Sequence, residues 1–199
     1  MSSISEPLPL SVESHPEKIL QEIAEKIFID KLEAAVKNNK SFKSVENNSD
    51  KVVHGKWMAM ILVCGADLEV TLKVHYDSQV GRLLLSAASK KDVNDIDPCR
   101  IQDFFREYCN TCAGELKAIL AKQNISVGLS LPLSLRGSDQ IVFAQQGEYA
   151  NKSKLIKVES DFGSFACSTH LEIINRDALR ELKIPEEPIK TKKRKIAFL

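Results

Sequence analysis

Apolar side chains recur at Ile19, Leu20, Ile23, Ala24, Ile27, Phe28, Leu32, Ala35 and Val36. That three- and four-residue spacing predicts an amphipathic helix of about five turns, with Pro16 near its start. Between Asn38 and Asp50 the polar stretches bracket a short segment with no clear period. Trp57 to Val63 is nearly continuous apolar sequence and reads as a buried strand. After the turn Cys64-Gly65-Ala66-Asp67, Leu68, Val70, Leu72 and Val74 alternate with polar residues, so a hairpin is the simplest connection. A short helix follows, capped by Asp77 or Ser78 and ending at Lys90-Lys91.

Residues 92–97 are acidic and loop-like, and Pro98 opens a second long helix reaching to about Gln123. Ile125, Val127, Leu129, Leu131, Leu133 and Leu135 then alternate strictly, predicting one long strand before Arg136-Gly137. Further strands are expected around Ile141–Gln145, Leu155–Ser160 and Phe165–Ile174, with a turn at Asp161-Phe162-Gly163 and a helical turn in Arg176–Lys183. The order implies an α+β fold: an antiparallel or mixed β-sheet with long helices packed on one face. Residues 1–14 are expected to be a flexible leader, 15–176 the folded domain, and 177–199 a short helical turn and basic tail.

Composition narrows the class without changing this picture. The chain has 199 residues, 43% hydrophobic and 28% charged, with a formal net charge of +1. This is ordinary globular usage, and the overall charge gives no reason to expect a nucleic-acid partner. No apolar run is long enough to span a membrane, and the first residues lack the pattern of a secretory signal. With five scattered cysteines, the expectation is a cytoplasmic protein with reduced thiols. Cys109-x-x-Cys112 sits on or beside the apolar face of the second long helix, with no second pair or nearby His to complete a zinc site. His15, His54, His75 and His170 are dispersed, so no metal site is expected.

The second long helix divides cleanly on a wheel of about 100° per residue. Ile101, Phe104, Phe105, Tyr108, Cys112, Leu116 and Ile119 share the face that must pack on the sheet. Asp103, Glu107, Asn110 and Gly114 occupy an opposite sector about 60° wide. A carboxylate and an amide thus project side by side, and Gly114 removes a side chain one turn beyond Asn110. By chemistry alone this reads as an ordinary solvated helix face.

Asp103-x3-Glu107-x2-Asn110, with Ala113-Gly114, Pro132, Gly137 and the segment Ile156–Phe165, resembles the signature of the CheC/CheX/FliY phosphatase family, CheX most of all. The resemblance spans Pro16 to Ile174. The interval from Asn110 to Pro132 is one residue shorter than the family pattern, and the first helix carries no second ExxN motif, so one site per chain is implied. The resemblance implies hydrolysis of the phospho-aspartate on a CheY-like response-regulator receiver domain, in chemotaxis or another two-component circuit. Asn110 would orient the attacking water and Glu107 would pair with the receiver's Lys. Asp103 and Gly114 would support the contact. Mg²⁺ would come from the receiver, with no cofactor on this chain, and the protein would be a homodimer. The alternative is a non-catalytic signalling or flagellar-switch binding module of the same fold. The basic run Lys190–Lys195 is either a solvated end or a docking tail closed by Ile196–Leu199.

Overall fold

The computed structural model describes residues 15–36, 42–46, 56–136 and 153–185. The expected leader, the strand expected at Ile141–Gln145, His54 and the basic run Lys190–Lys195 lie outside the described residues.

Among the described residues three α-helices form where the sequence predicts them: α1 (Pro16–Val36), α2 (Ser78–Ser89) and α3 (Pro98–Ala121). Asp97 caps α3 by accepting from the Cys99 N–H at 2.8 Å, and Pro98 sits where a missing N–H is harmless. Asp77 occupies the cap position of α2 without making the side-chain bond, and Ser78 Oγ instead accepts from Trp57 Nε1 at 3.0 Å. At the end of α2, Lys90 turns left-handed at φ 59°.

The strands are β1 (Lys43–Glu46), β2 (Trp57–Gly65), β3 (Leu68–Tyr76), β4 (Val127–Leu129), β5 (Leu133–Arg136), β6 (Ser153–Ser160) and β7 (Gly163–Ile173). They pair antiparallel in the order β1-β6-β7-β3-β2, with β4 and β5 both on the outer side of β2. The fold is α+β. Side-chain alternation assigns the faces: Ala59, Ile61 and Val63 of β2, with Leu68, Val70, Leu72 and Val74 of β3, are buried toward the helices. Their neighbours Lys73, Thr71 and Glu69 lie half-buried on the opposite face. Strand β1 fills the stretch after Asn38 that the sequence left without a period; Lys43, Ser44 and Val45 are all exposed there, so burial imposed no alternation on it.

One expectation fails. Ile125 to Leu135 does not form one long strand. Strand β4 pairs Val63 with Leu129, and a continued ladder would place Met60 opposite Pro132, yet Met60 pairs with Leu133. An extra residue has entered between Ser130 and Pro132, the arrangement of a β-bulge. Proline has no N–H to give the ladder, and Ser130 Oγ accepts from the Leu62 N–H at 3.0 Å. Because side chains alternate with period two, a slip of one residue transfers every later side chain to the other face. Val127 is therefore buried, whereas Leu131, Leu133 and Leu135 are 83%, 54% and 44% exposed.

Core packing also continues past the domain boundary expected at residue 176. After the turn of 3₁₀-helix at Asp177–Leu179, both Leu179 and Leu182 are buried.

Helix α1 is tied to the far side of the sheet through Glu25, which accepts from Lys154 Nζ of β6 at 2.7 Å and Ser44 Oγ of β1 at 2.6 Å. Partial burial pushes this carboxyl upward, but the Lys154 and Ser44 bonds outweigh it and hold Glu25 below its usual range. A lowered folded value means stabilisation that is present above the unfolded carboxylate range and lost as pH falls through the folded value. Glu25→Gln should therefore lower unfolding free energy by about 1–2 kcal/mol at pH 7. The difference should shrink steadily on acidification in denaturant titrations; a gap independent of pH would exclude the ionised carboxylate as its source.

Candidate functional site on helix α3

The orientation of α3 follows from what its inner face buries. Phe105 stacks on Tyr76 of β3 with ring centroids 3.7 Å apart, and Phe104 meets Phe105 edge-on at 5.1 Å. Tyr108, fully buried, donates its hydroxyl to the Phe28 carbonyl of α1 at 2.6 Å. Lys31 of α1 pairs with Glu115 at 2.6 Å, largely shielded from solvent. On the other flank α2 comes so close that a β-carbon on Gly81 would collide with the Ile101 side chain. Arg82 of α2 then reaches the Ile96 carbonyl at 2.8 Å, holding the loop that feeds α3.

With that face fixed, the outward sector is determined. Asp103 and Glu107 are exposed, and Asn110 and Gly114 are half-buried. The Asn110 amide donates from Nδ2 to Glu107 Oε2 at 3.3 Å, so the structure brings the two candidate catalytic side chains together. That bond leaves the Asn110 amide oxygen and its second N–H direction available to a bound water. Thr111 Oγ1 donates to the Glu107 carbonyl at 2.8 Å on the same surface. Asp103 is instead paired with Arg106 one turn away. It stands beside the Glu107–Asn110 pair without joining it. A β-carbon placed on Gly114 would meet nothing within 4 Å, so internal packing does not require glycine there.

The groups that position this helix were only half visible in the sequence. Tyr108 shows there as a member of the apolar face, but its carbonyl partner in α1 does not. Nothing in the sequence singles out Lys31 or Glu115.

Neither other candidate feature joins the site. Cys109 and Cys112 are free and fully buried, and burial in apolar surroundings pushes both thiols up, away from thiolate chemistry. His75 is buried on the face of the sheet away from the helices, beside Ser168 Oγ at 3.4 Å, and His170 lies 2.8 Å from Ser153 Oγ. Among the described residues no group of three or more His, Cys, Asp or Glu side chains is placed to hold a metal ion. Nor is any described helix long and apolar enough to cross a membrane.

No protein-family model matches the chain, and no curated protein matches it by sequence. Solved structures do match. The chemotaxis protein CheX from Vibrio vulnificus superposes with a TM-score of 0.63 at 15% identity, covering 77% of this chain and 99% of that one. A CheC-like superfamily protein from Shewanella sp. PV-4 gives 0.61 at 14% identity, covering 82% and 99%. The chain has the CheX/CheC-like fold. A third match is to the CheX–CheY–BeF₃–Mg²⁺ complex from Borrelia burgdorferi, with a TM-score of 0.58 at 12% identity over 76% of this chain and 96% of that one.

Within this CheX-like fold, the open space at Gly114 gives a clean test of surface against core. Gly114→Ala should raise unfolding free energy by about 0.5–1 kcal/mol, because glycine inside a helix costs backbone entropy that alanine does not. A loss of stability in thermal or chemical unfolding would show that glycine is needed by the fold itself.

Proposed function

We propose that the outward face of α3 hydrolyses the phospho-aspartate of a CheY-like receiver domain. The observation that carries the reading is the contact between Asn110 and Glu107 on an exposed face of a helix clamped by the core, within a fold shared with CheX. A CheX with this fold has been solved in complex with CheY, BeF₃ and Mg²⁺, which supports a receiver as partner.

The chemistry asks little of the added protein. An acyl phosphate is intrinsically labile, and positioning of a nucleophile supplies much of the rate gain. Water attacks phosphorus in line, the bond between phosphorus and the aspartyl oxygen breaks, and inorganic phosphate and the free carboxylate leave. Asn110 is suited to hold that water because its amide offers both a donor and an acceptor. Glu107 pairs with the receiver's Lys, setting the docking register through a charge-assisted bond. The Glu107–Asn110 contact keeps the amide in one rotamer before docking, and Asp103 with Arg106 forms the rim. Gly114 lets the partner surface come close to the helix. Mg²⁺, held by the receiver's own acidic site, would neutralise phosphoryl charge. The same likeness supports a cytoplasmic signalling role in chemotaxis or a related two-component circuit.

Self-association belongs to this reading as well. The exposed leucines Leu131, Leu133 and Leu135 mark apolar surface that a second copy would cover. Sedimentation equilibrium should give a dimer for the full chain and a weaker one for Leu133→Asp; a monomer throughout would remove this part of the proposal.

The decisive measurement is phosphate release from a Mg²⁺-loaded phospho-receiver. Asn110→Ala should lower the stimulated rate by at least about 100-fold while leaving receiver binding largely intact. Glu107→Ala should weaken binding by about tenfold or more and slow release too. If wild-type protein binds the phospho-receiver without accelerating release, the chain is a binding module of this fold and not a phosphatase.

A further inference from the structure

The charges along α3 are matched, with one exception close to Asn110. Arg100, Asp103, Arg106 and Glu107 all precede Asn110 on or beside the outward face, two positive and two negative. Asp103 and Arg106 are joined directly, and Glu107 accepts from the Asn110 amide. Arg136 of the neighbouring β5 is turned onto the Trp57 ring, 5.8 Å from its centroid. Past Asn110, Glu115 points to the α1 flank and is engaged by Lys31. Lys122 lies about 120° round the axis from Asn110, toward that same flank. Lys117 is exposed, and no carboxylate among the described residues pairs with it.

Lys117 stands about 20° from Asn110 around the helix axis and about 10 Å along it, with Gly114 between them. Side chains on a helix lean toward its N-terminus, so the surface within reach of Lys117 is the turn that holds Gly114. Space is open there, since a β-carbon on Gly114 would meet nothing within 4 Å. The helix thus presents a shallow gap floored by backbone. The Asn110 amide lies at one end of it and an ammonium group at the other.

We propose that Lys117 recognises the phosphoryl group of the docked receiver, its ammonium reaching across Gly114 to the phosphoryl oxygens beside Asn110. This rests on the phosphatase reading and adds to it a means of telling a phosphorylated receiver from a bare one. A phosphoryl group brings about two negative charges and three acceptor oxygens, which a lysine meets as a point charge with three donors. Arg106 is less suited to the task, because Asp103 holds its guanidinium toward the start of the helix. Glu107 and Lys117 then divide the partner between them: the carboxylate takes the receiver's Lys, and the ammonium takes the phosphoryl charge.

Calorimetric titration of the full-length chain tests this, using a Mg²⁺-loaded receiver with and without BeF₃ as the stand-in for phosphoryl. The wild type should bind the BeF₃-loaded receiver more tightly than the bare one, and Lys117→Met should cut that preference about tenfold. Lys117→Arg, which keeps the charge, should retain most of it, and Lys122→Met should leave it unchanged. A preference untouched by Lys117→Met would overturn the proposal. That includes the case in which both affinities fall together, since Lys117 would then meet the receiver's general acidic surface. Equal wild-type affinities for the two forms would overturn it as well. A chain that accelerates phosphate release, but whose Lys117→Met variant keeps the full preference, is a phosphatase without this contact. A wild-type chain that binds neither form removes both the contact and the phosphatase reading.

Discussion

The hydrogen bond from Tyr108 to the Phe28 carbonyl is the constraint on which the direction of the proposed functional face depends. Both groups are buried, so leaving either unmatched would carry the full cost of desolvation, about 1–3 kcal/mol. Sliding or rotating α3 against α1 would break it. The Tyr76–Phe105 stack fixes the same helix against the sheet, and the missing side chain at Gly81 lets α2 close the other flank. With three neighbours holding one face, the direction of the opposite face is no longer free. Precision at Asn110 is thus supplied from the interior, by groups that would never touch a partner.

This arrangement explains how a surface of ordinary polar residues can have defined geometry. Exposed side chains usually sample several rotamers, and the ion pair of Asp103 with Arg106 is of the solvated kind that contributes little to stability. The Asn110–Glu107 contact is similarly modest in energy. In the proposed reaction its value lies in restricting two side chains on a helix packed against the core, so that positioning rather than acid–base strength would gain rate.

Much of this was legible in the chain. The helical periods of α1 and α3, the Pro98 start, the β2–β3 hairpin and the shared sector of Asp103, Glu107, Asn110 and Gly114 all follow from spacing alone, because burial imposes the period. What escaped was whatever depends on residues distant in sequence. No spacing rule singles out Lys31 or Glu115, whose pairing exists only once α1 and α3 are brought together. Strand β1 is short, polar and exposed, so its sequence had no reason to alternate. The leucine run was misjudged for a different reason: its alternation is perfect, and only the local failure of the ladder at Ser130 and Pro132 shows that hydrophobic periodicity need not mean burial.

That bulge makes the parity of a strand a variable in its own right. Before it, odd-numbered residues face the interior; after it, the inward position passes to Ser134, half-buried toward Tyr76, rather than to a leucine. The identity of the leucines is not what puts them outside. Removing a single residue there would restore the original phase, sinking Leu133 and Leu135 inward without altering a side chain. Chain length across three positions therefore acts as a binary selector of which surface the molecule offers, one that a substitution scan would never reveal.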